Sequence, residues 1–466
     1  MSKEILQNIS LLKKYDVHSW DYNEYPHKEV WSNKKNGKAF REAIIDVYSK
    51  PDIAPSMLYL HIPFCQELCY FCICSKEITK DYSRVHNYTR NYLLKEIEMI
   101  RDVFKECGKS PNFNEIYIGG GTPNYLNKED FDAVLEKIAE FVDLKKIKQF
   151  TVESDPRRVD VDKLNFYHTR GVNKLSFGVQ DFDPAVQKEI NRIQPPELLH
   201  NLLIPEIREK FKSINFDILI GLPGQTPKTM RDTIEKVVDL KPDRIQFAYC
   251  HYRPLHRKYM TLMTRHQGLP DFYEQKAIFA EGVEAILDGG YIRTGFEHFA
   301  TPEDPTTKAL LNKGTIHYNA VGSVTGEYTG LIGLGSSGYS SVGEDYYFQN
   351  FYEQNLYRNS IDEGDLPVLR GYQLTEQDKI CRDVINTIRT YFQISYKDIE
   401  SKHNINFHKY FEKSILALDE FVRDGLVIIE ENCLRLTSNG EHFSTLVASS
   451  FDPHRKTPLY NKDIKV

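Results

Sequence analysis

No apolar run in these 466 residues approaches the roughly 18 needed to span a bilayer. Residues 1–14 mix charges with short apolar pairs and build no apolar core of signal-peptide length. A cytoplasmic protein with no membrane partner is therefore expected. A net positive charge is lacking as well. The net charge of −6 gives no general reason to expect nucleic acid as a partner, so any anionic ligand must be met by local basic residues. Internal repeats, low-complexity tracts and the G-x-G-x-x-G dinucleotide fingerprint are all missing. A second cysteine pair at finger-like spacing is missing too.

What remains is an ordinary globular composition, 41% hydrophobic and 27% charged, long enough for one large domain and a smaller one. From about residue 56 to 260, short β-branched or aromatic runs alternate with stretches of helical periodicity. Strands are expected at 57–63, 115–118, 149–153, 174–179, 215–220 and 244–249. Helices are expected at 91–104, 128–142 and 230–240, the last capped by Thr226 with Pro227 at its first position. Strand–helix alternation implies a parallel sheet, and six units in about 200 residues suit a partial (β/α)6 barrel of the α/β class. The notable polar residues and glycines fall at or just after the strand ends, the active face of a parallel barrel.

The remainder divides at an acidic break, 362–365. Before it, residues 330–343 are rich in glycine and serine and are expected to form loops approaching a ligand or another backbone. After it come a helix at 374–392 capped by Thr375, another at 407–424, a hairpin at 426–436 and a short helix at 443–450. Helices followed by a hairpin suggest a small winged-helix-like α+β domain, too acidic for DNA and better suited to a lid. The expected divisions are 1–55, an N-terminal segment; 56–365, the barrel and its extension; and 366–466, the lid.

Eight cysteines are present, four of them within ten residues. Cys65-Gln-Glu-Leu-Cys69-Tyr-Phe-Cys72 places three thiolates on one loop, enough to wrap one face of a cubane cluster. An all-cysteine [4Fe–4S] site needs a fourth, so one iron stays open for a chelating ligand such as S-adenosylmethionine (SAM). A zinc site completed by Cys74 is the competing reading, but the single residue between Cys72 and Cys74 makes a strained chelate. A disulfide suits a reducing compartment poorly. One strand later comes Ile116-Tyr117-Ile118-Gly119-Gly120-Gly121-Thr122-Pro123, a turn through which backbone can approach a ligand.

These stretches, together with Tyr59-Leu-His-Ile-Pro-Phe-Cys65, Ser176-Phe-Gly-Val-Gln-Asp-Phe182, Asn191-Arg192, Asp217-Ile-Leu-Ile-Gly-Leu-Pro-Gly-Gln-Thr-Pro227 and Gly295-Phe-Glu-His-Phe-Ala300, resemble the radical SAM superfamily. Within it they resemble the oxygen-independent coproporphyrinogen III oxidases (dehydrogenases). The resemblance covers roughly residues 59–254 and is weaker beyond. It implies a [4Fe–4S] cluster on Cys65, Cys69 and Cys72 and two SAM molecules. One would be held by Tyr59, Gly120 and Glu153, the other by Phe71, Gly121, Thr122, Gln180, Arg192 and Asp217. Cys74 follows the pattern of the coproporphyrinogen enzymes, whereas the related haem chaperones are aromatic there, and it is implied in the second SAM site or in catalysis.

The implied reaction is oxidative decarboxylation of two propionates to vinyls by a 5′-deoxyadenosyl radical, giving protoporphyrinogen IX in haem biosynthesis. A tetrapyrrole substrate, an electron donor such as flavodoxin or ferredoxin, and a monomeric state accompany it. Arg157, Arg158, Arg253, His256 and Arg257 are candidates for meeting the propionates. Other branches of the same architecture transfer methyl or methylene groups from a second SAM, open the haem ring anaerobically, or carry haem as chaperones. The stretch at 18–27 lacks the family's arginine, and the segment at 317–340 departs from the usual version.

Overall fold

The computed structural model describes residues 4–17, 22, 24–312, 315–319 and 321–464. Six strands, β1 (Ser56–Ile62), β2 (Phe113–Gly120), β3 (Gln149–Ser154), β4 (Lys174–Gln180), β5 (Ser213–Ile220) and β6 (Arg244–Tyr249), lie side by side in sequence order. Every neighbouring pair is parallel. The crossovers carry helices α1 (Leu94–Glu106), α2 (Lys128–Ala139), α3 (Val161–Thr169) and α4 (Pro227–Asp239). This is the partial barrel expected from the alternation, with strand positions right to within a residue or two.

Period-two alternation sorts the strand side chains. Leu58, Leu60 and Ile62 of β1 join the apolar layer under the helices, with Ile97, Ile100, Phe131 and Val134. Met57 and Tyr59, on the opposite face, pack with Trp31, Leu331, Tyr339 and Tyr347.

The sheet does not stop at six. Helix α5 (Phe272–Asp288) leads to β7 (Ile292–Arg293) and β8 (His298–Ala300), which extend it beyond β6. On the other side come β9 (Gly330–Leu334), parallel to β1, then β10 (Tyr339–Val342), β11 (Tyr346–Asn350) and β12 (Val368–Gln373). The full order is β12-β11-β10-β9-β1-β2-β3-β4-β5-β6-β8-β7. Residues 330–343, expected as loops, are therefore two strands and their turn. Their glycines serve backbone approach: a Cβ on Gly333 would sit 1.9 Å from the Tyr339 carbonyl oxygen, and one on Gly330 would sit 2.2 Å from that of Ser341.

After β12, helix α6 (Glu376–Tyr391) starts at a capping box in which Thr375 and Asp378 satisfy each other's backbone N–H groups. The single helix expected at 407–424 is instead three short pieces, Phe407–Tyr410, Glu412–Ala417 and Asp419–Arg423. A helix at Tyr396–His403, unforeseen, precedes them. Strands Val427–Ile429 and Cys433–Leu436 form the expected hairpin, joined by Gln393–Ser395 as a third strand.

The described part of the N-terminus is shared between the two bodies. Ile5, Leu11, Leu12, Tyr15 and Tyr25 belong to the core of the C-terminal helices. Lys14 Nζ pairs with Asp424 at 2.6 Å, and the Tyr15 hydroxyl donates to the same carboxylate at 2.7 Å. The helix Gly37–Tyr48 instead buries Phe40, Ile44 and Val47 in the barrel core. Of the stretch 18–27, residues 18–21 and 23 lie outside the described residues.

Candidate active site

The C-terminal ends of the strands converge on a cavity of about 300 Å³. Cys65, Cys69, Cys72 and Cys74 line it, with Phe71, Gly120, Gly121, Thr122, Glu153, Gln180, Arg192 and Asp217. Of the residues expected to hold the cluster and SAM, Tyr59 alone is not on its wall. Its hydroxyl instead donates to His61 Nδ1 at 2.8 Å. His61 Nε2 faces the Ser75 carbonyl at 2.9 Å, so Nε2 bears the proton and Nδ1 accepts. Burial holds the imidazole neutral, down to about 4. His61, oriented by Tyr59, thus ties β1 to the far end of the cysteine loop.

That loop is fixed at its base by two short parallel strands, Phe64–Cys65 with Glu77–Ile78. Along it, Lys76 Nζ donates to the carbonyls of Cys72 (3.0 Å) and Cys74 (3.4 Å) and to the Tyr259 hydroxyl (3.0 Å). The sulfurs have donors as well. Thr122 Oγ1 donates to Cys65 Sγ at 3.2 Å, Arg192 to Cys69 Sγ at 3.5 Å, and Arg157 to the same sulfur at 3.8 Å. Burial pushes the free Cys65 thiol up to about 12. A deprotonated sulfur here needs positive charge beside it, from cations or from a metal.

Among the described residues no three Cys, His, Asp or Glu side chains converge as the ligands of a single metal ion would. Three thiols around one cavity, unconverged, fit irons at separate corners of a cube. The neighbouring Cys72 sulfur raises the Cys74 thiol's pKa.

Two buried carboxyls complete the wall. Glu153 accepts from the Tyr117 hydroxyl at 2.8 Å and from the Gly120 N–H at 3.0 Å, yet burial still lifts it to about 7. Asp217 accepts from Asn215 Nδ2 at 2.7 Å and from Ser176 at 3.4 Å, and burial lifts it to about 6. Carboxyls raised in this way lack a cation in contact, and the ammonium and sulfonium of SAM would supply one. The glycine turn is built to hold Glu153. A Cβ on Gly119 would lie 2.8 Å from its carboxyl carbon, and Gly120, at φ +115°, has the His61 ring at 2.8 Å. The three glycines were read as room for a ligand; much of that room is taken by Glu153, His61 and Phe64.

The candidate propionate cations separate. Arg157 and Arg158 belong to the cysteine loop: Arg157 clamps Asp155 at 2.7 Å and Arg158 pairs with Glu67 at 2.8 Å. Burial works against Asp155, but Arg192 and Arg157 hold its carboxyl at about 2. Arg257 donates to the Ile73 carbonyl at 3.4 Å, and His256 is exposed. Arg253 alone lines a second, larger cavity of about 740 Å³ between the barrel mouth and the C-terminal domain. Phe71, Cys72, Cys74, Gln180 and Asp217 line both cavities, which are therefore contiguous. Asp155 and Lys76 escaped the sequence reading because neither stands in a quoted motif, and His61, inside the stretch Tyr59–Cys65, was given no role of its own.

Comparison with known proteins agrees with this geometry. Residues 59–237 match the family model of the radical SAM superfamily, and residues 374–441 that of the HemN C-terminal domain. The chain is 32% identical over 453 residues to the oxygen-independent coproporphyrinogen III oxidase of Escherichia coli K12, covering 97% of this chain and 96% of that protein. It is 31% identical over 466 residues to the Pseudomonas aeruginosa protein of the same name, covering 99% and 98%. The solved structure of coproporphyrinogen III oxidase (HemN) from Escherichia coli, described as a radical SAM enzyme, superimposes with a TM-score of 0.85 at 32% identity, over 93% of this chain and 98% of that one. The chain belongs to the oxygen-independent coproporphyrinogen III oxidase family of the radical SAM superfamily, with a [4Fe–4S] cluster and SAM as its cofactors.

Proposed function

We propose that this protein converts two propionate side chains of coproporphyrinogen III to vinyl groups without oxygen, giving protoporphyrinogen IX. One observation carries the reading: a cysteine- and carboxylate-lined cavity opens directly into a larger one, with Cys72, Cys74, Gln180 and Asp217 on the shared wall. Radical chemistry at a bulky substrate needs this arrangement, because the radical source and the C–H bond must meet in one water-poor space.

Cys65, Cys69 and Cys72 hold the cluster, and Thr122, Arg192 and Arg157 steady the thiolate charge. Glu153 and the Gly120 turn take the ammonium of one SAM, with Tyr59 bracing them from behind. Phe71, Gly121, Thr122, Gln180, Arg192 and Asp217 take a second. Bound there, the cofactors supply reductive cleavage of a sulfonium and removal of a hydrogen atom from the propionate β-carbon. The substrate then loses CO2 and one electron to an acceptor, and the Cα–Cβ double bond forms. Cys74, on the shared wall, acts at the boundary of the second SAM and the substrate. A flavodoxin- or ferredoxin-like donor reduces the cluster, and the protein works as a cytoplasmic monomer. Residues 1–55, 56–365 and 366–466 act as cover, catalytic barrel and lid.

Analysis of SAM fragments separates this reading from that of the methylating branches. 5′-Deoxyadenosine without S-adenosylhomocysteine is expected during turnover. S-adenosylhomocysteine formed in step with a mass gain on the substrate would contradict it.

A further inference from the structure

The larger cavity holds a cation that none of the motifs accounts for. Lys276, on α5, is 8% exposed. Its ammonium sits 5.3 Å from the centroid of the Tyr249 ring, 5.3 Å from that of Phe272 and 5.5 Å from that of Phe443. Among the described residues it donates one hydrogen bond, to the His442 carbonyl at 2.9 Å. An ammonium has three donors, and among the described residues no carboxylate is in ion-pair contact with Lys276; Asp16 and Glu297 act on it only at longer range.

A buried charge in this state is costly. Three aromatic faces offset part of that cost but satisfy no N–H. Burial accordingly draws the ammonium down to about 8. Lys276 lines the 740 Å³ cavity, so its uncommitted donors face the space into which Cys72, Cys74, Gln180 and Asp217 also look. Three components of the fold are spent on presenting it: Tyr249 ends β6, Phe272 opens α5, and His442 and Phe443 come from the C-terminal domain.

We infer that Lys276 is a substrate-positioning residue: its ammonium holds one propionate carboxylate of the tetrapyrrole, at the junction of the barrel mouth and the C-terminal domain. This rests on the proposed substrate and deepens it. A carboxylate is the occupant the site asks for. It accepts the two free N–H groups, neutralises the charge, and makes the strong kind of hydrogen bond that both partners being ionised provides. Because the cage includes residues of the C-terminal domain, the same contact links that domain's seating to the presence of substrate.

The test compares two porphyrin probes on anaerobically reconstituted holoprotein, by quenching of porphyrin fluorescence: coproporphyrin III, with its four carboxylates free, and its tetramethyl ester, with none. Wild type is expected to prefer the free acid. Lys276→Met, which refills the cage without charge, is expected to weaken the free acid roughly 10- to 100-fold and the ester less than about threefold. Lys276→Arg is expected to recover most of the preference. Cluster iron content should match wild type in both variants. A wild-type preference that survives Lys276→Met unchanged overturns the assignment alone. Equal weakening of both probes, with a lowered melting temperature, overturns it in favour of a purely structural clamp. Wild type that binds neither probe overturns the assignment and contradicts the proposed substrate with it.

Discussion

Cys74 and Glu96 show how differently two groups in this barrel use their surroundings. Cys74 stands two residues beyond the third cluster cysteine, on the wall shared by both cavities. The Cys74→Ser variant is expected to retain cluster iron content and visible absorbance while losing turnover by at least about tenfold. Loss of iron in that variant would make Cys74 part of the cluster site instead. Glu96, by contrast, is sealed beneath the sheet on α1. Its carboxyl accepts from the Gly335 N–H at 2.7 Å, from Asn350 Nδ2 at 2.6 Å and from the Tyr357 hydroxyl at 2.6 Å. Burial outweighs these donors and lifts it to about 7. A carboxyl whose folded pKa is raised keeps its proton after the unfolded chain has lost its own. The stability it contributes is full below about pH 4.5 and declines as pH rises through about 7, by on the order of 3 kcal/mol in all. Wild type is therefore expected to lose stability relative to Glu96→Gln between about pH 5 and pH 7, in denaturant titrations at fixed temperature. Parallel pH profiles for the two proteins would count against a buried ionising Glu96.

At the scale of elements, the glycines of β9 do what no other residue could. Gly333 faces β10 so closely that a Cβ would lie 1.9 Å from the Tyr339 carbonyl oxygen. The Gly333→Ala variant must push β10 away and is expected to cost roughly 1–3 kcal/mol or more, read as a lower midpoint in chemical denaturation. An unchanged midpoint would mean that β10 shifts freely. This segment was also where the sequence misled. Glycine and serine weaken a period-two signal, so strands that exist because two backbones approach closely look like loops. The six barrel strands were legible because β-branched and aromatic residues mark them and helical stretches separate them. The broken helix at 407–424 was not, because apolar spacing continues through Phe411 and Leu418, where the backbone departs from regular helix.

For the whole molecule, the pattern of cysteines, glycines and strand ends was enough to place the chemistry on one rim, since a parallel sheet gathers all of its C-terminal strand ends at the same face. The second cavity was not legible. It is made by Tyr15 and Val17 of the N-terminus, β6, α5 and the C-terminal residues His442, Phe443 and Leu446, far apart in sequence and brought together only by the tertiary fold. Lys276 illustrates the point: in sequence it is one helix lysine among many, and only the assembled fold surrounds it with rings from three elements.

The central claim is that this two-chambered rim decarboxylates a porphyrinogen. The most direct test incubates reconstituted protein anaerobically with SAM, a reductant and coproporphyrinogen III, and follows the tetrapyrrole and SAM fragments by mass spectrometry. Two successive losses, each equal to CO2 plus two hydrogens, accompanied by 5′-deoxyadenosine, are expected. Formation of 5′-deoxyadenosine while the porphyrinogen keeps all four propionates would contradict the claim.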